Sequence, residues 1–170
     1  MTILKIASVA AIGCAALAAA SYALPRHVSV ERSAVVAATP EAVLELASSN
    51  SGFQVFNPYK TLDPNLKIDL YGPEAGIGAA FRFEGKGGKG TQTVAEVSAD
   101  TITYAIDMGA MGQPKQFIRA VPTTNGTDVT WRVESDLGFN PIFRVFGLFM
   151  DGMMGPTFEI GLENIAAATA

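Results

Sequence analysis

Apolar and polar residues alternate in a series of short runs after residue 26, which is typical of β-strands that bury one face. The first run covers residues 27–36. Six more follow at residues 66–70, 81–84, 91–97, 102–106, 115–121 and 129–134. Turn sequences rich in Gly, Pro, Asn and Asp separate these six runs, so the sequence predicts an antiparallel meander with one apolar face to cover.

Two helix-start signals follow the first run. In "TPEAVLELASS", Thr39 is a suitable N-cap, Pro40 occupies the first helical position, and an acidic residue lies in the first turn. The next stretch, "NSGFQVFNPY", predicts a second short helix that ends at Asn57, because a residue before proline disfavours the α conformation. Two short helices are therefore expected between the first strand and the meander.

The stretch "GFNPIFRVFGLFMDGMMGPTFEIGL", residues 138–162, predicts a long terminal helix that covers the sheet. Arg144 and Asp151 lie almost opposite its apolar side on a helical wheel. A bend or break is expected between Gly152 and Pro156, because the proline lacks an amide donor and its ring crowds the carbonyl of Gly152. The side expected to face the sheet consists of Ile142, Val145, Phe146, Phe149 and Met153.

The N-terminus has the pattern of a targeting segment. After Lys5, residues 6–24 form a 19-residue uncharged run with nine Ala. Such a run is either a cleaved signal peptide or a single membrane anchor, and we expect one of these two at residues 1–24. Either alternative exports the following domain, residues 26–168, so that it is periplasmic or anchored outside the cytoplasm. If the segment is not cleaved, residues 6–24 contact the membrane.

Charge and cysteine content narrow the possible functions. Without Lys5, 11 of the 12 basic side chains remain against 16 acidic ones, a formal charge of −5 and no basic stripe, which disfavours nucleic acid as a partner. The single cysteine, Cys14, lies in the apolar segment, so the domain that follows has no thiolate ligand for a metal. "GKGGKG" is typical of a hairpin turn and lacks the spacing of a phosphate loop. No metal or cofactor is predicted.

The order of a strand, two short helices, a meander and a long terminal helix resembles the helix-grip fold of the SRPBCC superfamily, which includes START lipid-transfer domains and the polyketide cyclase/dehydrase group. The resemblance covers residues 26–166. It rests on the two ends of this range and on the motifs "FNPYKTLDP", "GPEAGIGAAFRFEG" and "GTDVTWRVESDLG". Exported bacterial members similar to polyketide cyclases commonly have a Leu-Pro pair before the first strand, as Leu24-Pro25 does here. The first motif departs from the W-N-P-Y of many members, because Phe56 replaces Trp.

The resemblance implies an α+β fold in which a curved, seven-stranded antiparallel sheet wraps around the C-terminal helix, with two short helices after the first strand. It also implies an apolar cavity between sheet and helix. The large aromatic residues and Met favour such a cavity independently, although the same residues at this spacing are also typical of a plain core. The residues expected to line the cavity and bind a ligand are Phe56, Tyr59, Phe81, Phe83, Tyr104, Trp131, Phe146, Phe149 and Met153.

The predicted function is therefore binding or transport of a hydrophobic small molecule that is lipid-like, quinone-like or polyketide-like. Two alternatives stay open: a polyketide cyclase or dehydratase that uses the same cavity, and an interaction domain with a filled core. Only carboxylates, with Glu159, Glu31 and Asp107 as candidates, or the hydroxyls of Tyr59 and Tyr104 offer acid–base chemistry. The sole histidine, His27, lies at the start of the first strand and is expected to be peripheral. No catalytic residue is predicted.

Overall fold

The computed structural model describes residues 20–170 of the chain. Most of the predicted targeting segment therefore lies outside the described residues. The strands are β1 (His27–Val36), β2 (Lys67–Tyr71), β3 (Ala80–Gly85), β4 (Gly88–Val97), β5 (Thr101–Asp107), β6 (Lys115–Thr123) and β7 (Gly126–Asp136). The helices are α1 (Pro40–Ser48), α2 (Asn50–Phe56), α3 (Pro58–Leu62), α4 (Pro141–Gly147) and α5 (Met150–Ala168), with a short 3₁₀ turn at Gly109–Met111.

The seven strands form one antiparallel sheet in the order β1-β7-β6-β5-β4-β3-β2. Strands β2 to β7 pair in sequence order, and β1 joins the free edge of β7. The predicted turn in "GKGGKG" joins β3 to β4, with Gly85 opposite Gly88, whose φ of 117° suits glycine. The predicted meander and the seven-stranded α+β architecture are confirmed.

Three short helices follow β1, one more than predicted. Thr39 caps α1 by accepting a hydrogen bond from the Ala42 amide at 3.3 Å. Helix α2 ends at Phe56, next to the predicted end, and Asn57 then caps a further helix that begins at Pro58. This third helix has only five residues, too few for a periodic apolar pattern to indicate it.

The terminal helix is divided, but not where the sequence predicted. The division falls at Leu148 and Phe149, between α4 and α5, whereas Pro156 lies inside α5. The prediction of a break between Gly152 and Pro156 was wrong. Both of these residues face solvent. The Gly152 carbonyl, which receives no hydrogen bond from an amide at position 156, is therefore exposed, and water can reach it.

The second half of α5 packs tightly on the inner face of the sheet. The ring of Phe158 stacks on Trp131 with 5.2 Å between ring centroids and 10° between the ring planes. Gly161 lies so close to the same indole that a Cβ there would overlap it. Leu162 and Ile165 are also buried. These contacts occupy the space in which the sequence predicted a cavity.

An ion-pair network joins α5 to the edge strand β1. The Arg32 guanidinium contacts Asp151 at 2.9 Å and Glu159 at 3.0 Å. It also fills the place that a Cβ on Gly155 would take, so glycine at this position lets α5 approach the strand. The hydrogen bonds that Arg32 donates to Asp151 and Glu159 raise its pKa and keep it charged.

Within residues 20–170, no helix combines the length and the apolar character required to cross a bilayer.

Candidate functional site

Three of the nine predicted ligand-binding residues are exposed on the terminal helices. They do not line a site between these helices and the sheet. Phe146, Phe149 and Met153 are between 47% and 60% exposed, and Ile142 and Val145 of the same predicted face are exposed as well. The helical wheel assumed one continuous helix, whereas the break after Gly147 separates the two halves of that face.

Arg144, which was expected to face solvent, is buried instead. Its Nε donates to the Gly138 carbonyl at 3.0 Å, and one terminal nitrogen donates to the Tyr22 carbonyl at 3.0 Å. These backbone carbonyls satisfy the guanidinium, and this is why a charged residue can occupy the inner side of α4.

Four of the predicted residues do come together. Phe56, Phe81, Tyr104 and Trp131 are buried around Phe53, whose ring centroid lies 4.8, 5.3, 5.5 and 6.2 Å from theirs, respectively. The sequence reasoning missed Phe53 as a member of this aromatic cluster. Its spacing of three from Phe56 within "FQVF" was the available signal, because residues i and i+3 share a helix face.

The other two predicted residues are peripheral to that cluster. Phe83 is partly buried, with its ring 6.3 Å from that of Phe81. Tyr59 belongs to α3 and is 37% exposed. Whether any of the nine residues binds a ligand stays a prediction.

A small cavity adjoins the aromatic cluster, between α1–α2 and strands β3–β5 rather than beneath the terminal helix. Its walls include Asn50, Phe53, Phe81, Gln92 and Tyr104, and its volume is about 10 Å³. That volume is about the minimum for a single water molecule. This cavity is therefore closed to an organic ligand in this conformation.

Hydrogen bonds hold the helices against the sheet around this cavity. The Tyr104 hydroxyl donates to the Ala47 carbonyl at 2.6 Å, and burial raises the pKa of this tyrosine well above its usual value. The Asn50 side-chain amide donates to the carbonyls of Tyr71 and Pro73, both at 3.0 Å. These groups fasten α1 and α2 to the sheet, and the tyrosine hydroxyl is occupied as a donor.

Three other buried donors on the inner face of the sheet have no hydrogen-bond partner within residues 20–170. They are the Nε2 atoms of Gln92 and Gln116 and the indole Nε1 of Trp131. Gln92 lines the small cavity, and Gln116 lies directly opposite Tyr104 across the β5–β6 pair. Unsatisfied buried donors are costly, and each one in a native protein calls for an explanation. Each of them could donate to an oxygen atom of a bound molecule.

The carboxylates that the sequence nominated as acids or bases lie on the surface. Glu159 is paired with Arg32, and Glu31 lies 4.0 Å from Arg132 on the outer side of the sheet. Asp107 is exposed and accepts a hydrogen bond from the Gly109 amide at 2.8 Å. His27 is also exposed, at the start of β1. Across residues 20–170, no three His, Cys, Asp or Glu side chains are grouped so that they could hold a metal ion.

Comparison with solved structures finds the same fold in proteins of low sequence identity. Norcoclaurine synthase from Thalictrum flavum superposes with a TM-score of 0.63 at 14% identity, over 84% of this chain and 86% of that one. A Chromobacterium violaceum protein superposes with a TM-score of 0.59 at 16% identity, over 83% and 96%. The di-domain ARO/CYC StfQ from the steffimycin biosynthetic pathway gives 0.61 at 12% identity, over 84% of this chain and 50% of that one.

These superpositions show the fold alone, whereas a match to a family model shows the family. No curated protein sequence matches this chain closely enough to count as a relative. However, the model described as "Polyketide cyclase / dehydrase and lipid transport" matches residues 27–170, from the first strand through the terminal helix. The SRPBCC resemblance is thereby confirmed, and the chain belongs to the polyketide cyclase / dehydrase and lipid transport family.

Proposed function

We propose that this domain binds an apolar small molecule that carries at least one hydrogen-bond acceptor, such as a carbonyl or ester oxygen, against the inner face of the sheet. The observation that carries this proposal is the set of unpartnered donors on Gln92, Gln116 and Trp131. They lie on an otherwise apolar surface, where an apolar ligand with an oxygen acceptor next to one of them would satisfy that donor. The lipid-like, quinone-like and polyketide-like classes all meet this requirement.

The site has to open before it can accept such a molecule, because the cavity of about 10 Å³ holds no more than water. The hydrogen bonds of Tyr104 and Asn50 to backbone carbonyls are the contacts that separate when α1 and α2 move away from the sheet. Gln92 already lines the cavity, so the movement exposes a donor that has no competing partner within residues 20–170. Binding thus replaces unsatisfied donors with hydrogen bonds worth about 1 kcal/mol each.

Family membership supports the apolar class of the ligand. The family description names lipid transport beside cyclase and dehydrase activities. One structure of norcoclaurine synthase from Thalictrum flavum contains dopamine and hydroxybenzaldehyde, small aromatic molecules with oxygen atoms. That protein is 15% identical to this chain, so it supports the class of ligand and not its identity.

The test is to purify the full chain, extract it with organic solvent and identify the released molecules by mass spectrometry. We expect an apolar compound with an accessible oxygen acceptor. The double variant Q92L/Q116L should release about tenfold less, because loss of two hydrogen bonds of about 1 kcal/mol each weakens binding by at least that factor. The matched control is Q113L, the same substitution at an exposed position outside the site.

Two results would contradict the proposal. One is an equal load of ligand on Q92L/Q116L and on Q113L, which would show that the buried amides do not hold the molecule. The other is a wild-type protein that releases no apolar compound, which would favour the filled-core interaction domain that the sequence left open. Circular dichroism of each variant checks that the substitutions leave the fold intact.

The cyclase or dehydratase alternative stays a prediction. It requires an acid or base near the ligand. Glu31, Asp107 and Glu159 lie at the surface, and the Tyr104 hydroxyl donates to the Ala47 carbonyl, so none of these groups is free to serve in the closed conformation. An opened site would release only Tyr104 from its present partner.

A further inference from the structure

The terminal helices present an exposed apolar surface that nothing else in residues 20–170 covers. We call it the α4 surface. Every member is between 45% and 73% exposed, although each is a large apolar residue. Single exposed apolar side chains are ordinary, but a contiguous group of this kind marks an interaction site. The α4 surface consists of Ile142, Val145, Phe146, Leu148, Phe149 and Met153.

Charge is missing from this surface. Arg144 and Asp151 are the only charged residues from position 137 to position 158. Arg144 is buried against backbone carbonyls, and Asp151 is paired with Arg32. A partner that binds here therefore gains from apolar burial and not from ion pairing. The interior of a lipid bilayer fits this chemistry, whereas an anionic headgroup alone does not.

The uncharged N-terminal run enters the domain beside the α4 surface. One terminal nitrogen of Arg144 donates to the carbonyls of Tyr22 and Leu24, at 3.0 and 3.4 Å, and the guanidinium lies 5.1 Å from the centroid of the Tyr22 ring. Arg144 thus attaches the last residues of the run to the inner side of α4. Residues 20–24 form a hydrogen-bonded turn in which Ser21 is buried, so the part of the uncharged run that can enter a bilayer is residues 6–19.

We propose that the α4 surface docks on a lipid bilayer that the uncharged residues 6–19 enter, with its aromatic and aliphatic side chains inserted at the interface. A run that enters the bilayer just before residue 20 holds α4 near the membrane surface, because Arg144 attaches Tyr22 and Leu24 to this helix. The side chains that the domain does not bury then have an apolar environment. Docking in this orientation is independent of whether the interior binds a ligand.

The test places a tryptophan in the α4 surface of the full chain, as Phe149→Trp, and reconstitutes the protein in phosphatidylcholine vesicles whose acyl chains carry bromine, a contact quencher. We expect the added tryptophan to lose most of its emission relative to vesicles without bromine. The matched control is Leu70→Trp, at an exposed apolar position on the opposite edge strand, which should keep its emission. Trp131 is fully buried and supplies the same background in both variants.

The effect of salt on the quenching and a second tryptophan variant test the proposal further. Since the docking is apolar, high salt should leave the quenching of Phe149→Trp unchanged, whereas an electrostatic attachment would weaken. Ile142→Trp should behave as Phe149→Trp does. Equal emission from Phe149→Trp and Leu70→Trp in brominated vesicles would overturn the proposal. If chemical cross-linking then detects dimers through α4, a second copy covers the surface.

Discussion

The two ends of the terminal helical segment are similar in composition and opposite in environment. From Phe158 onward, α5 is locked onto Trp131 by a stacked ring and by a glycine in contact with the indole. Before the first turn of α5, Phe146 and Phe149 are 47% and 60% exposed, respectively. Apolar content alone therefore does not identify the buried half.

The glycines of α5 show how tightly each part of that helix packs. On the packed side, Gly155 and Gly161 leave no room for a Cβ because Arg32 and Trp131 occupy that space. On the exposed side, Gly152 has nothing within 4 Å of the place where a Cβ would stand. Glycines within a helix allow close approach only where another element is present to approach.

Truncation of one phenylalanine at each end should give the largest contrast. Phe158→Ala removes a fully buried ring and should lower the free energy of unfolding by about 3–5 kcal/mol. Phe149→Ala, the same change at a 60% exposed position, should alter it by no more than about 0.5 kcal/mol. Urea unfolding measures both. Similar losses in the two variants would mean that α4 is buried in solution.

Substitution of one glycine by alanine at each end should give a smaller difference in stability. The two substitutions should change stability in opposite directions. Gly161→Ala forces a Cβ into the Trp131 ring and should destabilise the domain by about 1–3 kcal/mol. Gly152→Ala meets nothing and should stabilise α5 by about 0.5 kcal/mol, because alanine loses less backbone entropy in a helix. Thermal unfolding separates the two. A stable Gly161→Ala protein would show that α5 can move off the sheet freely.

The ion pair between Arg32 and Asp151 should give the smallest effect on stability. This effect should also depend on pH. Arg32 lowers the pKa of Asp151, chiefly through their hydrogen bond. A lowered pKa in the folded state adds stability above the unfolded value of about 3.9, and this stability is lost as the pH falls through the folded value. The stability difference between wild type and Asp151→Asn should therefore shrink as the pH falls below about 4.

A thermal unfolding series between neutral and acid pH measures this difference. The exposed position of Asp151 keeps its size small. Arg32→Met serves as the control background, in which Asp151→Asn should no longer change the pH dependence. A persistent effect in that background would assign the lowered pKa to another group.

The sheet could be predicted from the sequence because period-two alternation and turn residues are local signals. The site was harder to predict, because burial depends on contacts between distant elements. Phe146 and Phe149 have the spacing of core residues, and only the break after Gly147 shows that they are not. Gln92 and Gln116 were overlooked, although each alternates in step with an apolar residue of its strand, Val94 and Ile118. A polar residue on the apolar face of a strand was the available signal.

The most direct measurement of ligand binding uses the only tryptophan of the chain, Trp131, which is fully buried and whose indole carries one of the three unpartnered donors. The full chain is titrated with a brominated fatty acid methyl ester and, separately, with a brominated alkane of equal length. Entry of the ester should quench Trp131 in a saturable way, and the alkane should bind about tenfold more weakly because it has no oxygen to accept the hydrogen bonds. Unquenched emission with both compounds, or equal affinities for them, would contradict an opening interior that selects a hydrogen-bond acceptor.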